Sequence, residues 1–441
     1  MKFLFAAVPG DGHFNPLTGL AMHLKDAGHD VRWYAGPTYI PKVERLGIPA
    51  YPYKRASEVT GDNIGELFPE RVNLHGPALI RFDGKNMMVA NIGNYFEDIA
   101  EINRSFPFDI LVCDAAFYAM KPVKEKLGKR VYAIGVAPSL ETSKDVPPNF
   151  VGMKPAKTAL GKLLHRGMRF MMERTVLDDV KRFFNSILKD LAVAPVQGSL
   201  FDVSYRSPDV VFQSGVPGFA YPRRERNPRM IFVGALQPYK TSIARPFPYP
   251  EKLERYERVI VISQGTVDNK DQNKLIVPAL EALKDSGALL VVTTAHYQTA
   301  ELRQRYPQDN IVIEDFVDFD FILGRADLFV CNGGYGSVLL SLSKGVPLVT
   351  AGIREGKNDI NAHIDYFNVG IDLRTENPKP EAIRRAAERV LSEPQWKANA
   401  ARLRDEFSRY QPYEVIDAYL ANEAAYRQNG PLPAQALNAA M

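Results

Sequence analysis

Cysteine is scarce in this sequence, and its placement argues against two common kinds of stabilisation. Only two cysteines, Cys113 and Cys331, occur in 441 residues. Each stands at the end of an apolar run, and neither belongs to a CxxC pair or has a histidine pair nearby. A disulfide framework and a zinc site are therefore not supported. Both residues are typical of small buried side chains in a reducing compartment, and we expect no metal.

Long hydrophobic runs and an excess of one charge are also missing. The apolar run at residues 3–8 is too short for a signal peptide, and no later run approaches the roughly 20 residues of a membrane-spanning helix. The 55 lysines and arginines exceed the 51 aspartates and glutamates by only four, without a basic block. We therefore expect a cytoplasmic protein that binds no nucleic acid and has no stable association with membranes.

The sequence does contain a regular alternation of strand and helix patterns. In the first half, apolar runs at residues 3–8, 31–35, 110–113 and 130–134 alternate with helical patterns. A similar series starts at residues 259–263 in the second half. Continuous apolar strands between helices are typical of parallel sheets covered on both faces, so the predicted fold class is α/β.

The length of the chain and one proline-rich stretch predict its domain organisation. A chain of 441 residues is too long for one ordinary core, so two domains of about 200 residues are expected. Residues 236–250 carry four prolines in fifteen residues and predict a linker. We therefore assign residues 1–235 to the first domain and 251–411 to the second. We expect residues 412–441 to form a helix that returns to the first domain, followed by a loose tail.

A glycine turn between two apolar segments is the most informative stretch of the second half. An apolar strand ends at Asn332, Gly333-Gly334-Tyr335-Gly336-Ser337 follows, and a helical pattern resumes at Val338. Backbone N–H groups and the positive end of a helix then face an anion without an obstructing side chain, as in diphosphate sites. Ser263, Gly265 and Thr266 follow another strand and offer further donors. A turn that needs glycine for steric reasons alone is the alternative.

A histidine follows the first predicted strand. In PGDGHFNP, Asn15 suits an N-cap and Pro16 the first helical turn, which places His13 just before a helix at the edge of the sheet. A histidine there can act as a general base. Asp114 ends the strand at residues 110–113 and can orient that histidine if the two strands are neighbours. Structural roles in the loop remain the alternative. A dinucleotide motif is disfavoured, because Asn15 replaces its third glycine.

Residues 157–191 are amphipathic and rich in methionine and aromatic residues. We prefer helices that cover a pocket for an apolar ligand, since methionine adapts to flat molecules of varied shape. Core packing is one alternative. Contact with a membrane surface is another, because basic residues are interleaved through this segment. The residues predicted to bind the ligand are Phe14, Met168, Met171 and Met172.

Taken in order, four motifs resemble those of glycosyltransferase family 1, which has the GT-B fold. They are GDGHFNP, ILVCDAAF, SQGT and NGGYGS followed by GVP, and together they span nearly the whole chain. The stretches SGVPGFAYPRR and GHDVRWYAGPTY are also similar to those of bacterial flavonoid glycosyltransferases, including flavonol rhamnosyltransferases. The resemblance implies two Rossmann-like domains that face each other across a cleft. The first would bind the acceptor, and the second the nucleotide sugar.

The resemblance also implies roles for individual residues. His13 would deprotonate the acceptor hydroxyl, with Asp114 as its partner, and configuration at the sugar would invert without a metal or another cofactor. Phe316 stands where the family has a tryptophan that stacks on the pyrimidine base. The remaining residues implied for the donor are Ser263, Gly265, Thr266, Asn332, Gly333, Gly334, Gly336, Ser337, Lys357 and Asn358.

Three departures from the family pattern bear on the donor. Asn332 replaces a common histidine, and Leu340 stands where a glutamate usually binds the ribose. Lys357-Asn358 replaces the aspartate and glutamine that hold hexose hydroxyls. Loss of the ribose acceptor costs less for a deoxyribonucleotide, so dTDP-rhamnose fits better than UDP-glucose. Glu355 or Asp359 is an alternative source of the missing carboxylate.

The predicted function is transfer of a sugar, best dTDP-rhamnose, to a hydroxyl of a flavonoid or similar small aromatic acceptor. UDP-glucose is the alternative donor for the same acceptors. A noncatalytic sugar-nucleotide-binding protein and an epimerase on the same scaffold are the alternatives of other kinds.

Overall fold

The computed structural model describes residues 1–61, 63–240, 247–265 and 270–429, with side chains of the last helix as far as residue 423. Within these residues the chain forms two parallel sheets, each covered by helices. The strands of the first sheet are β1 Lys2–Ala6, β2 Asp30–Ala35, β3 Ala50–Pro52, β4 Ile110–Asp114, β5 Arg130–Gly135, β6 Val210–Ser214 and β7 Met230–Gly234. Those of the second are β8 Val259–Ser263, β9 Leu289–Thr293, β10 Ile311–Glu314, β11 Leu328–Cys331, β12 Leu348–Thr350 and β13 Gly370–Asp372.

The helices that cover the first sheet follow the strands in the chain. They are α1 Asp11–Asp26, α2 Ile40–Glu44, α3 Ile64–Leu67, α4 Gly76–Asp83, α5 Ile92–Ser105, α6 Met120–Leu127, α7 Ala159–Thr175, α8 Leu177–Asp190 and α9 Val203–Arg206. A π-helical segment at Gly84–Val89 joins α4 to the turn before α5. The helices of the second half are α10 Pro250–Arg255, α11 Ile276–Leu283, α12 Thr299–Arg305, α13 Phe319–Leu323, α14 Tyr335–Ser343, α15 Lys357–Tyr366, α16 Pro380–Ser392, α17 Pro394–Phe407 and α18 Pro412–Asn429.

Strand order brings the predicted motifs to the same edges. The first sheet runs β3-β2-β1-β4-β5-β6-β7, and the second runs β10-β9-β8-β11-β12-β13. In the first, Ala6 at the end of β1 is opposite Cys113 of β4; in the second, Ser263 of β8 is opposite Cys331 of β11. Because all strands are parallel, the loops after β1, β4, β8 and β11 leave the carboxyl edges of the sheets. The predicted α/β fold is confirmed.

Apolar side chains bury both faces of both sheets. Two buried clusters flank the first sheet and two flank the second. Val415 and Ile416 of α18 belong to one cluster of the first sheet, so the terminal helix lies against the first half. Cys113 and Cys331 are buried and unpaired, as small core residues are. No described helix has the length and apolar character needed to cross a membrane.

The structure describes only part of the junction between the two halves. Residues 236–240 and 247–249 of the predicted linker form no helix or strand, and residues 241–246 lie outside the described part of the chain. The predicted tail, residues 430–441, also lies outside it.

Candidate active site

His13 and Asp114 form the best-defined polar contact at the edge of the first sheet. The two atoms His13 Nδ1 and Asp114 Oδ1 are 2.9 Å apart. Asp114 is fully buried and also accepts hydrogen bonds from the backbone N–H groups of Val8 and Ala116, at 2.8 and 2.9 Å. A carboxylate that already accepts two N–H bonds favours donation by His13 Nδ1. In the neutral imidazole, the Nε2 atom is then free of its proton and can accept one.

The position of His13 differs from the sequence prediction in one respect. Helix α1 begins at Asp11 with Gly10 as its N-cap, so His13 lies in the first turn and Asn15 is not the cap. Pro16 is inside the helix. The backbone N–H of Phe14 donates to Gly10 O at 2.9 Å, which shows that the helical bonds start before the proline.

Opposing effects act on the pKa of His13. Burial lowers the pKa, whereas the charge of Asp114 and the hydrogen bond to it raise it, and the net pKa lies above the ordinary 6.5. The side chain is still 36% exposed, which leaves part of the ring accessible. A histidine held in this way combines an oriented lone pair with a partner that stabilises the protonated ring.

The glycine turn of the second half has the geometry of an anion-binding site. Gly334 is the N-cap of α14, and Gly333 before it has a positive φ of 87°. A Cβ atom on Gly333 would lie 2.0 Å from Asn361 Oδ1, so only glycine fits there. In contrast, a Cβ on Gly336 would meet no protein atom within 4 Å. The open first turn of α14 therefore presents N–H groups to the cleft.

Neighbouring strands add polar groups beside this turn. Asn332 donates its amide Nδ2 to the backbone oxygen of Gln264, which ties the end of β11 to the loop after β8. Ser263 Oγ accepts from the N–H of Gly265 at 3.3 Å and from Thr293 Oγ1 at 3.0 Å. The predicted donor residue Thr266 lies outside the described residues.

The two halves enclose one large cleft. Its volume is about 2200 Å³, more than the roughly 300–1000 Å³ of a pocket for one small ligand, so two substrates fit. His13 lines it from the first half. From the second half, the predicted donor residues Ser263, Gly265, Phe316, Asn332, Gly334, Gly336, Ser337, Lys357 and Asn358 line it, and Gly333 lies behind the turn.

Phe316 and the residues at the start of α15 make separate contacts in the cleft lining. Phe316 is 57% exposed and meets the ring of His296 edge-on, with centroids 4.7 Å apart, so most of the phenyl ring is uncovered. Lys357 Nζ is 2.7 Å from Glu355 Oε2. Asn358 Nδ2 donates to the backbone oxygen of Phe150 in the first half at 2.8 Å.

The residues predicted to bind the acceptor are not those that line the cleft. Phe14 is only 4% exposed, because it packs in the core against Trp33 and Tyr39. Met168, Met171 and Met172 of α7 are absent from the cleft lining, and Met171 is 57% exposed to solvent. The structure thus contradicts this assignment: an apolar stripe on a helix shows amphipathicity, but not which surface covers it.

The first half of the cleft is lined by other residues that the sequence reading missed. Methionines reach it from the π-helical segment, and partly exposed apolar side chains reach it from α4. These residues are Leu79, Ile80, Met87 and Met88. The adjacent pair Met87-Met88 was the available signal, because adaptable side chains occur together there.

Comparisons with known proteins agree with this arrangement. A family model described as the C-terminal domain of proteins like erythromycin biosynthesis protein CIII matches residues 279–421. The chain is 32% identical over 410 residues to 4'-demethylrebeccamycin synthase of Lentzea aerocolonigenes, covering 92% of this chain and 96% of that protein. It is 28% identical to UDP-glycosyltransferase 2 of Phaeomoniella chlamydospora, covering 94% and 92%.

The chain belongs to glycosyltransferase family 1. The fold also matches solved structures of glycosyltransferases. One is the spinosyn rhamnosyltransferase SpnG complexed with thymidine diphosphate, with a TM-score of 0.67, 15% identity, and coverage of 95% of this chain and 99% of that one. The GT-B fold expected from the sequence is therefore confirmed. This glycosyltransferase is an enzyme that transfers a sugar from a nucleotide sugar, and the noncatalytic alternative is not retained.

Proposed function

We propose that this glycosyltransferase moves rhamnose from dTDP-rhamnose to a phenolic hydroxyl of a flavonoid-like acceptor, with inversion at the sugar. The observation that supports this donor is the orientation of α14. Leu340 lines the cleft with 9% of its surface exposed, whereas its neighbours Leu339 and Ser341 are 1% and 0% exposed. The position facing the donor therefore offers no carboxylate to a ribose 2′-hydroxyl. A deoxyribonucleotide, which has no such hydroxyl, leaves nothing unsatisfied there.

The groups near the proposed sugar position also favour a deoxy sugar. Asp359 does not supply a free carboxylate, because its oxygens accept from the N–H groups of Phe150 and Gly152 at 2.5 and 2.8 Å. Lys357 offers only donors, and its nearest carboxylate is that of Glu355. A 6-deoxyhexose has one hydroxyl fewer than glucose and therefore needs one partner fewer.

The proposed reaction assigns one task to each half of the cleft. His13 Nε2 takes the proton from the acceptor hydroxyl while the acceptor oxygen forms a bond to the anomeric carbon. The bond from that carbon to the diphosphate breaks on the opposite face, and the electron pair leaves with the diphosphate. The N-terminus of α14 and the Ser337 hydroxyl stabilise the departing charge. Asp114 stabilises the imidazolium that forms.

The first half of the cleft suits a flat apolar acceptor. Met87 and Met88 supply adaptable thioether side chains, and the partly exposed Leu79 and Ile80 of α4 add apolar surface. These groups bind aromatic rings mainly by burial and leave hydroxyl selection to the reach of His13. A phenol, with a pKa of about 10, needs only modest assistance from such a base.

A competition between donors tests the proposal. Equimolar dTDP-rhamnose and UDP-glucose are supplied with one flavonol, and the mass added to the product is read by mass spectrometry. We expect addition of a deoxyhexose to predominate at least ten-fold. The relative named as a UDP-glycosyltransferase favours a UDP-sugar donor. The second candidate, UDP-glucose, predicts addition of a hexose. Predominance of the hexose would overturn the proposed donor, and sugar release without a flavonol product would overturn the acceptor.

A further inference from the structure

Helix α7 carries a set of large apolar side chains that nothing in the described structure covers. All lie on one helix and are more than half exposed. They are Leu160 at 77%, Leu163 at 63%, Leu164 at 57%, Phe170 at 64% and Met171 at 57%. Scattered apolar residues are normal on a surface, but a contiguous group of this size indicates an interaction site.

These five residues form a continuous stripe. At the roughly 100° per residue of an α-helix, they lie within an arc of about 120°. The opposite side of α7 holds the helix on the protein: His165 is 5% exposed, and Arg169 Nη2 donates to Val146 O at 2.6 Å. The stripe therefore faces away from the protein along the whole helix, a length of about 25 Å.

Unpaired positive charges accompany the stripe. Lys157, Arg166 and Arg174 are exposed and form no salt bridge with any described residue. The guanidinium of Arg174 lies 5.5 Å from the centre of the Phe170 ring, within the stripe itself. Glu173 is the one acidic residue in the sequence of α7. By contrast, Arg182 on the neighbouring α8 is paired with Asp178 and Asp179.

We propose that α7 docks on the surface of an anionic phospholipid bilayer. An apolar stripe flanked by unpaired cations lets the side chains enter the boundary of the acyl region while the cations meet lipid phosphates. A second copy of the chain fits poorly, because the same cations would face each other across the contact. This peripheral contact takes up the membrane-surface alternative for residues 157–191 and departs from the sequence expectation of no stable membrane association.

The docked helix adjoins the acceptor side of the cleft. Val176 alone separates α7 from α8, whose first residue, Leu177, belongs to the buried cluster against which Ile80 and Met88 of the cleft lining pack. A bilayer-bound α7 therefore places this part of the lining close to a reservoir of apolar molecules. That consequence rests on the proposed function, whereas the docking itself does not, and it is measured without any substrate.

Vesicle flotation of the full chain tests the docking. We expect the protein to float with vesicles that contain phosphatidylglycerol, to float much less with phosphatidylcholine alone, and to be released by salt. The triple variant L160S/L163S/F170S is expected to reduce the bound fraction at least about ten-fold. Charge reversal by K157E/R166E/R174E is expected to reduce binding on the order of a hundred-fold.

A matched variant controls for net charge. Arg385, Arg402 and Arg409 are exposed in the second half, and R385E/R402E/R409E changes the charge equally without touching α7. It should keep most of the vesicle binding, and every variant should keep sugar transfer to a dissolved acceptor. If the serine variant does not fold, the comparison of the two charge variants decides.

Three results would overturn the proposal. They are no flotation of the wild type, equal flotation of the wild type and the α7 variants, and dimerisation by light scattering that the α7 substitutions abolish. The last result would make the stripe a protein interface.

Discussion

His13 is the residue on which the proposed chemistry depends. Replacement by alanine removes the base, so transfer is expected to fall by about 10²–10⁴-fold. The dissociation constant of thymidine diphosphate, read by calorimetry, should stay unchanged, because the proposed diphosphate site lies on α14. His75→Ala is the control, since His75 also lines the cleft but is exposed and bonds to no described acid. Equal loss of transfer and binding in His13→Ala would make the residue structural.

The pH dependence of transfer tests the link from His13 to Asp114. Because the pKa of His13 is raised above 6.5, the protonated ring persists to higher pH, and the base form accumulates as pH rises through that pKa. The acid limb of kcat/KM is therefore expected above pH 6.5. In Asp114→Asn the charge that raises the pKa is gone while burial still lowers it, so the limb should move to lower pH. If the acid limb stays at the same pH in Asp114→Asn, the limb reports the titration of a group other than His13.

Two glycines of the same turn are expected to respond in opposite ways. Gly333→Ala introduces a Cβ within 2.0 Å of Asn361 Oδ1 at a positive φ, so it should lower the free energy of unfolding and weaken thymidine diphosphate binding. Gly336→Ala meets no protein atom and gains helix propensity of about 0.5–1 kcal/mol, so stability should rise.

Stability and binding measured together separate the roles of those glycines. If the diphosphate rests on the first turn of α14, the methyl group of Gly336→Ala weakens its binding despite the higher stability. Calorimetry of thymidine diphosphate and urea unfolding measure both quantities. Unchanged binding in Gly336→Ala would place the diphosphate elsewhere.

The sequence could predict the contact between His13 and Asp114 because it depends on a rule of topology. Parallel strands end at one edge, and β1 and β4 are paired, so residues after both strands meet. The close approach of Gly333 to Asn361 could not be predicted, since it joins α15 to the turn after β11. The fully buried Asn361 carries a short polar side chain whose place only the packed structure shows.

At the scale of elements, the start of α1 shows where local signals mislead. Asn15 and Pro16 are good start residues, yet the helix begins four residues before Asn15, at Asp11. Proline near a helix start removes one backbone bond, and that cost is outweighed when His13 in the first turn reaches Asp114. Helix α7 shows a second limit. Its spacing correctly indicates an amphipathic helix, but the pattern does not say whether protein or solvent meets the apolar face.

The start of α15 joins the second half to a loop of the first. Asp359 accepts from Phe150 and Gly152, next to Asn358 and Lys357. Asp359→Ala removes both acceptors, so the loop and the proposed sugar-binding end of α15 should lose their common position. We expect KM for the nucleotide sugar to rise about ten-fold, with thymidine diphosphate binding unchanged, because a partly buried carboxylate that accepts two N–H bonds is costly to lose.

Asp365→Ala is the matched control for that prediction. Asp365 is on the same helix and also reaches the first half, through a 2.6 Å ion pair with Lys154. That pair is partly exposed, and such pairs contribute about 0–1 kcal/mol, so KM should hardly change. Asp359→Asn keeps one acceptor and should lie between wild type and alanine. Equal effects of Asp359→Ala and Asp365→Ala would show that any link between the halves has the same influence.

At the scale of the whole molecule, the last described helix does not pack in the half that contains the second sheet. Helix α18 returns to the first half, where Val415 and Ile416 complete a core cluster. Glu423, nearly buried, accepts from Tyr132 Oη at 2.5 Å and Arg130 Nη1 at 2.5 Å. The first half as residues 1–235 thus lacks part of its own core, and α18 supplies that part.

This return of the chain predicts unequal effects on the two halves. Ile416 is 1% exposed, and Ile416→Asp puts an unpaired charge into the first core, so it should lower the free energy of unfolding of that half by about 3 kcal/mol or more. Ala421→Asp adds the same charge at an exposed position of α18 and should have little effect. The chain has two tryptophans, Trp33 in the first half and Trp396 in the second.

Each tryptophan can therefore report on its own half. In a Trp396→Phe background, fluorescence of the buried Trp33 follows urea unfolding of the first half; in a Trp33→Phe background, Trp396 follows the second. We expect Ile416→Asp to move the Trp33 transition to lower urea and to leave the Trp396 transition nearly in place. Movement of both by the same amount would mean that the halves unfold as one unit, because a local loss of core would then be shared across the cleft.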